Sequence, residues 1–130
     1  MKQINLFLSI CLMLVYVVGC SSNSPESVAK DFALALYSGN AQKAKSYCTP
    51  ETQEGLVFME SVFESNNYKN NQPTNVSVQV EKCELSEDGT EATAHLLITY
   101  DTPNAKKKEE QTKVNLVKYD GKWMVRFKVK

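Results

Sequence analysis

The sequence has no excess of positive charge, and this absence excludes a broad class of partners. Its 130 residues include 15 Lys and Arg residues and 15 Asp and Glu residues, so the formal net charge is zero. A surface that binds nucleic acid needs an excess of Lys and Arg to neutralise the phosphates. We therefore expect no nucleic-acid partner.

Metal-binding and phosphate-binding motifs are also lacking. The chain has one histidine, His95, and its cysteines do not have the close spacing of a zinc site. Its five glycines are widely scattered and form no glycine-rich loop of the kind that holds a phosphate group. We therefore expect neither a metal ion nor a cofactor.

The N-terminal segment, residues 1–19, has the three parts of an export signal. Lys2 is positively charged, residues 4–18 are apolar apart from Asn5 and Ser9, and Gly19 provides a small residue before a cysteine. This apolar run of 15 residues is shorter than the roughly 20 residues that a membrane-spanning helix needs. The pattern predicts a cleaved signal peptide, with an uncleaved anchor helix as the alternative.

The residues at the end of this segment, Val17-Val18-Gly19-Cys20, resemble the lipobox of bacterial lipoproteins. The resemblance implies that Cys20 becomes the N-terminus and carries diacylglycerol and a further acyl chain such as palmitate, which together anchor the protein in a membrane. Residues 20–25 would then form a polar tether. Because no Asp follows Cys20, the resemblance also implies an outer-membrane anchor with the domain facing the periplasm.

Two cysteines remain for the domain, since Cys11 lies in the signal segment and Cys20 carries the lipid. Cys48 and Cys83 are an even pair in a compartment where disulfides form. A disulfide between them would close a loop of about 36 residues and stabilise the fold by about 3–4 kcal/mol. Two buried free thiols are the alternative, because sequence does not give the distance between the Cα atoms.

Residues 26–130 are predicted to form one domain, and its first half has a helical pattern. Ser24-Pro25-Glu26 is typical of a helix start, and apolar residues then recur at spacings of three and four up to Gly39. A short helix is predicted over residues 41–47. A third begins at Thr49-Pro50-Glu51 and is interrupted only by Gly55. Residues 66–73, rich in asparagine, are predicted to be a loop.

The second half has the two-residue period of β-strands. Apolar residues alternate in four segments, residues 76–81, 92–100, 114–119 and 123–129, which three turns separate. Asp120-Gly121 is typical of a two-residue hairpin turn. In the last strand, Trp123, Val125, Phe127 and Val129 would face the helices, while Met124, Arg126 and Lys128 would face water. The pattern predicts an α+β fold in which three helices cover one face of a four-stranded antiparallel meander.

Gly39-Asn40, the Thr49-Pro50-Glu51 turn and the final Gly121-Lys122-Trp123-Met124-Val125 resemble the nuclear-transport-factor-two-like (NTF2-like) superfamily. Within it, the chain is similar to small lipoproteins of unassigned function. The resemblance covers about residues 25–130 and implies a cystatin-like cone, in which a curved sheet surrounds a helix and an apolar pocket. Some members are isomerases or dehydratases and many bind ligands or partners. Because the chain has only four clear strands, we expect its pocket to be shallow or filled.

Phe32, Leu36, Trp123 and Phe127 are the candidates for lining such a pocket. They could instead fill the core, which we favour because a domain of this size needs every large apolar side chain. The leading hypothesis is therefore a domain that binds an envelope protein or a small apolar ligand without catalysis.

An isomerase- or hydrolase-like enzyme is the alternative function, with His95 or Asp31 as the base in the cone. His95 alternates out of phase with Ala94 and Leu96, which predicts that it lies on the outer face of its strand. Asp31 is predicted to lie on the solvated face of the first helix. Neither position favours catalysis.

Overall fold

The computed structural model describes residues 23–103 and 106–127. Within these ranges, five helices precede four strands: α1 (Pro25–Tyr37), α2 (Ala41–Ser46), α3 (Pro50–Gly55), α4 (Val57–Glu64), α5 (Asn66–Asn70), β1 (Thr74–Leu85), β2 (Glu91–Asp101), β3 (Lys107–Tyr119) and β4 (Lys122–Val125). This order confirms the α+β class. The predicted signal peptide, Cys20, Lys128 and Val129 lie outside the described residues.

Helix α1 begins and ends at the residues that the sequence indicates. The hydroxyl of Ser24 accepts a hydrogen bond from the backbone N–H of Ser27 at 3.2 Å, and Pro25 occupies the first helical position. Gly39, two residues after the helix, has a φ of +79°, which a glycine adopts without the steric cost of a side chain.

The other helices differ from the prediction in two places. The expected third helix is divided into α3 and α4 at Leu56, which caps both. The predicted loop at residues 66–73 contains α5, so the loop prediction is wrong for residues 66–70. Asparagine is a poor helix former, but the hydroxyl of Ser65 caps this turn and the ring of Tyr68 packs against Phe63, 4.8 Å between centroids.

The strands form one sheet in the order β1-β2-β3-β4, with each neighbouring pair antiparallel. Asp120 and Gly121 both have positive φ, 50° and 78°, as the tight β3–β4 turn requires. On β2 the predicted alternation is present, because Ala92, Ala94, Leu96 and Ile98 are buried. The sheet is therefore the predicted meander.

The core lies between α1 and the inner face of the sheet. Val28, Ala29 and Phe32 of α1 are buried there, and α1 contacts all four strands. All of the core residues lie between Val28 and Val125. A chain that starts at Cys20 therefore contains the whole described core.

Strand β4 is shorter than predicted, and its outer edge is covered. The backbone of Val125 hydrogen-bonds the N–H of Thr49 and the carbonyl of Tyr47. Beyond Val125, where the regular strand ends, the N–H of Phe127 donates a hydrogen bond to the hydroxyl of Thr52 at 3.1 Å. These hydrogen bonds occupy backbone N–H and C=O groups at the edge of the sheet, which would otherwise be free to pair with a strand of another chain.

Candidate functional site

An apolar pocket opens where the end of α1 meets the junction of α3 and α4. Its volume is about 380 Å³, and its lining is almost entirely apolar: Leu36, Thr52, Gly55, Leu56, Phe58, Met59 and Phe127. The α3–α4 break positions this site, since Leu56 is buried at the junction while Phe58 remains 63% exposed. The pocket therefore presents an accessible apolar surface.

The four pocket candidates from the sequence have two different roles. Phe32 and Trp123 are buried in the core. Leu36 and Phe127 line the pocket. Phe127 lies beyond the end of β4 and is 38% exposed, so the prediction that it is a buried core residue of that strand is wrong. Its ring nevertheless faces α1 as predicted, since it meets Phe32 edge to face at 5.6 Å.

The one side-chain hydroxyl in the pocket is already engaged. Oγ1 of Thr52 lies 2.9 Å from Oγ1 of Thr49 and accepts the N–H of Phe127. None of the described residues that line the pocket has a titratable side chain. The arrangement suits the binding of an apolar group, because burying such a group displaces water from apolar surface.

His95 lies on the outer face of the sheet, as its position in β2 predicts. Its Nε2 is 2.6 Å from a carboxylate oxygen of Glu84 on β1, and the two line an open groove of about 430 Å³. The hydrogen bond with His95, together with nearby Lys82, lowers the pKa of Glu84. This pair is on the opposite side of the sheet from the core and is remote from the apolar pocket.

Asp31 lies in a shallow depression on α1, next to Leu34, Ser38 and Lys43. It does not line the apolar pocket. The structure therefore does not bring Asp31 and His95 together in one site.

A polar cluster that the sequence analysis missed joins α1 to the sheet. The hydroxyls of Tyr37 and Tyr100 both donate to the carboxylate of Glu110, at 2.5 and 2.9 Å. Burial and the bond to Glu110 raise the pKa of Tyr37. Only the pairing register of β2 and β3, which places Ile98 opposite Glu110, could have indicated this contact.

Cys48 and Cys83 are both free, so the disulfide considered from the sequence is not formed. Cys83 is on β1. The backbone of Cys48 instead forms an isolated β-bridge with Val125, on the outer edge of β4. The sheet order places β2, β3 and β4 between them, whereas a disulfide needs Cα atoms within about 7 Å. Burial raises the pKa of Cys48 to about 12, and burial together with Glu26 raises the pKa of Cys83, so neither is a ready nucleophile.

No group of three or more His, Cys, Asp or Glu side chains in residues 23–103 and 106–127 is arranged to hold a metal ion. No helix in these same ranges is both long enough and apolar enough to cross a membrane.

A comparison with known protein families identifies the family of the chain. A family model described as a domain of unknown function (DUF4878) matches residues 18–126. The chain belongs to this family. The match covers every described helix and strand. No curated protein sequence matches the chain.

Solved structures show the fold of this DUF4878 domain. A candidate NTF2-like transpeptidase from Campylobacter jejuni superimposes with a TM-score of 0.57 at 22% identity, covering 81% of this chain and 99% of that one. A SEC-C motif containing protein from Rhodopseudomonas palustris gives a TM-score of 0.56 at 13% identity, covering 78% and 74%. At these identities the likeness concerns the fold alone. It confirms the predicted NTF2-like fold.

Proposed function

We propose that the chain is a lipid-tethered protein of the cell envelope whose NTF2-like domain binds an apolar group of a protein partner or small ligand without catalysing a reaction. The observation that carries this proposal is the apolar pocket of about 380 Å³ between α1 and the α3–α4 junction. Two aromatic rings at its mouth, Phe58 and Phe127, remain exposed to water. Covering them is favourable by roughly 25 cal/mol for each Å² of apolar surface removed from water.

The lipobox resemblance supports the tether. The family match begins at Val18 and so includes Cys20. Asn23, three residues after Cys20, is hydrogen-bonded to the backbone of Trp123 on β4. Because one residue spans at most about 3.6 Å, a lipid on Cys20 would be attached within about 11 Å of Asn23.

A short tether at Asn23 would attach the lipid at the opposite end of α1 from the pocket. The tether meets the domain beside Ser24, the cap that begins α1, whereas Leu36 is in the last turn of that helix. At 1.5 Å per residue, these two ends are about 18 Å apart. The pocket would then be open to the periplasm, where a partner or ligand could reach it.

The enzyme hypothesis has less support. His95 is on the outer face of the sheet and Asp31 is in a separate depression, so neither could act on a group held in the apolar pocket. A general base must lie within hydrogen-bond reach of the proton that it removes.

A neutral fluorescent apolar probe, N-phenyl-1-naphthylamine, tests the pocket. The chain from Cys20 with Cys20→Ser, which cannot carry lipid, should bind the probe and increase its fluorescence. Phe58→Ser should weaken this binding, and Leu85→Ser should not, because Leu85 is an equally exposed apolar residue outside the pocket. Equal binding by both variants would contradict the proposed site.

The tether requires a separate test. Mass spectrometry of the protein purified from its native membrane should find an acylated Cys20 at the N-terminus. An intact Met1 with an unmodified Cys20 would exclude the tether but would leave the binding result unaffected.

A further inference from the structure

The apolar pocket continues into an exposed helix face. None of the eight residues of α4 is buried, although the helix contains Val57, Phe58 and Val62. These three side chains are 57%, 63% and 42% exposed. Phe58 also lines the pocket. We define this apolar groove as the pocket together with Val57 and Val62.

Negative charge is concentrated along the same two helices. Residues 50–64 contain four acids, Glu51, Glu54, Glu60 and Glu64, and no base, although the chain as a whole is neutral. Glu60 is paired with Lys45 of α2. Glu51, Glu54 and Glu64 are exposed and have no ion-pair partner among the described residues. These three glutamates lie on α3 and α4, the two helices that form one wall of the apolar groove, and we call them its acidic rim.

This combination of an apolar groove and an acidic rim selects one kind of occupant. We infer that the groove binds a cationic amphipathic segment of a partner protein, with apolar side chains in the pocket and Lys or Arg residues over Glu51, Glu54 and Glu64. This inference rests on the proposed binding function and names the class of partner. Apolar contact supplies most of the affinity, while charge complementarity supplies specificity and speeds association.

The charge pattern argues against an acidic occupant of the same shape. An acidic helix would place like charges beside the three exposed glutamates, and like-charge contacts at an interface are costly. The rim therefore distinguishes partners whose apolar faces are identical.

Two synthetic amphipathic peptides of about 18 residues, one built from Leu and Lys and the other from Leu and Glu on the same apolar pattern, test the inference. The Cys20→Ser chain should bind the Leu/Lys peptide at least about tenfold more tightly. Adding about 0.5 M NaCl should reduce this difference, because salt screens exposed charges. Equal affinity for the two peptides would overturn the inference.

Matched variants locate the binding. Changing Glu51, Glu54 and Glu64 together to Gln should weaken binding of the Leu/Lys peptide several-fold while N-phenyl-1-naphthylamine still binds. The control changes three exposed acids elsewhere, Glu81, Glu87 and Glu109, to Gln and should leave peptide affinity unchanged. Equal losses in both triple variants would contradict the acidic rim as the selecting feature.

The two proposals can fail separately. Phe58→Ser and Val62→Ser alter exposed side chains and should each weaken peptide binding without unfolding the domain. If the probe binds but neither substitution affects the Leu/Lys peptide, the inferred partner class is wrong and the pocket remains. If the probe does not bind at all, the proposed function itself fails.

Discussion

The side-chain amide of Asn23 binds both backbone polar groups of Trp123, a residue one hundred positions further along the chain. Its Oδ1 accepts the N–H of Trp123 at 2.5 Å, and its Nδ2 donates to the carbonyl of Trp123 at 3.1 Å. Trp123 is on β4, the edge strand of the sheet. Asn23 thus occupies the place that one residue of a further strand would take, and it fixes the start of the domain.

Asn23→Ala should therefore destabilise the domain. Loss of two partly buried hydrogen bonds should lower the free energy of unfolding by about 1–2 kcal/mol, because the backbone of Trp123 loses its partner. Chemical denaturation measures the change. Gln42→Ala, an exposed position on α2, is the control and should change the free energy by less than about 0.5 kcal/mol. Equal midpoints for the two variants would show that the Asn23 contact contributes nothing.

Trp123→Ala should be the more damaging of two substitutions near the end of the chain. Trp123 is only 8% exposed, and truncating a buried aromatic side chain costs about 3–5 kcal/mol. Arg126→Ala removes an exposed ion pair with Glu91 and should cost less than about 1 kcal/mol. The comparison uses urea denaturation midpoints. A larger loss from Arg126→Ala would mean that the faces of β4 are assigned the wrong way round.

Gly39→Ala should destabilise the domain, whereas Gly55→Ala should not. At Gly39, φ is +79° and an added Cβ would lie 3.0 Å from the hydroxyl of Tyr68. The left-handed conformation alone costs about 1–2 kcal/mol for a residue with a side chain. At Gly55, the last residue of α3, an added Cβ meets nothing within 4 Å. Thermal unfolding should give a lower Tm for Gly39→Ala and an unchanged or higher Tm for Gly55→Ala.

Asp88 should make the domain sensitive to acid. Hydrogen bonds from Ser86 and Thr90 lower the pKa of Asp88 to about 2, below the value near 3.9 expected in the unfolded chain. The charged form is thus favoured in the folded state, and its contribution to stability is present above about pH 4 and lost as the pH falls towards 2. Asp88→Asn should therefore lower the Tm at neutral pH and have little effect near pH 2.

The control for Asp88 is Glu87→Gln. It removes the same charge from the neighbouring turn position, where the described structure contains no side-chain hydrogen bond. It should lower the Tm less than Asp88→Asn at neutral pH. A Tm difference for Asp88→Asn that stays constant down to pH 2 would contradict the role of the charged hydrogen bonds.

Features that depend on neighbouring residues could be predicted from the sequence. Ser24 and Pro25 begin α1, and Asp120 and Gly121 form the β3–β4 turn, because a cap and a tight turn need only local chemistry. Alternation along β2 placed His95 on the outer face for the same reason.

Features that depend on tertiary contacts could not be predicted in this way. Beyond the regular strand, the N–H of Phe127 donates to the hydroxyl of Thr52, and the ring of Phe127 lies at the pocket, although its alternation indicates a core position. The distance between Cys48 and Cys83 follows from the order of the strands in the sheet. The number of residues between two cysteines does not reveal that order. The pocket itself depends on the break at Leu56, where Gly55 is the only local interruption of the helical pattern and does not by itself show that the helix ends.

Site-specific photocross-linking in the cells that produce the protein tests the central claim most directly. A photoreactive phenylalanine at position 58 would lie in the apolar groove, and the same group at position 93 would lie on the outer face of the sheet, beside His95. We predict an adduct from position 58 with a partner segment that contains apolar residues and Lys or Arg, and little or none from position 93. Adducts from position 93 alone, or equal yields from both positions, would contradict a binding site at the apolar groove.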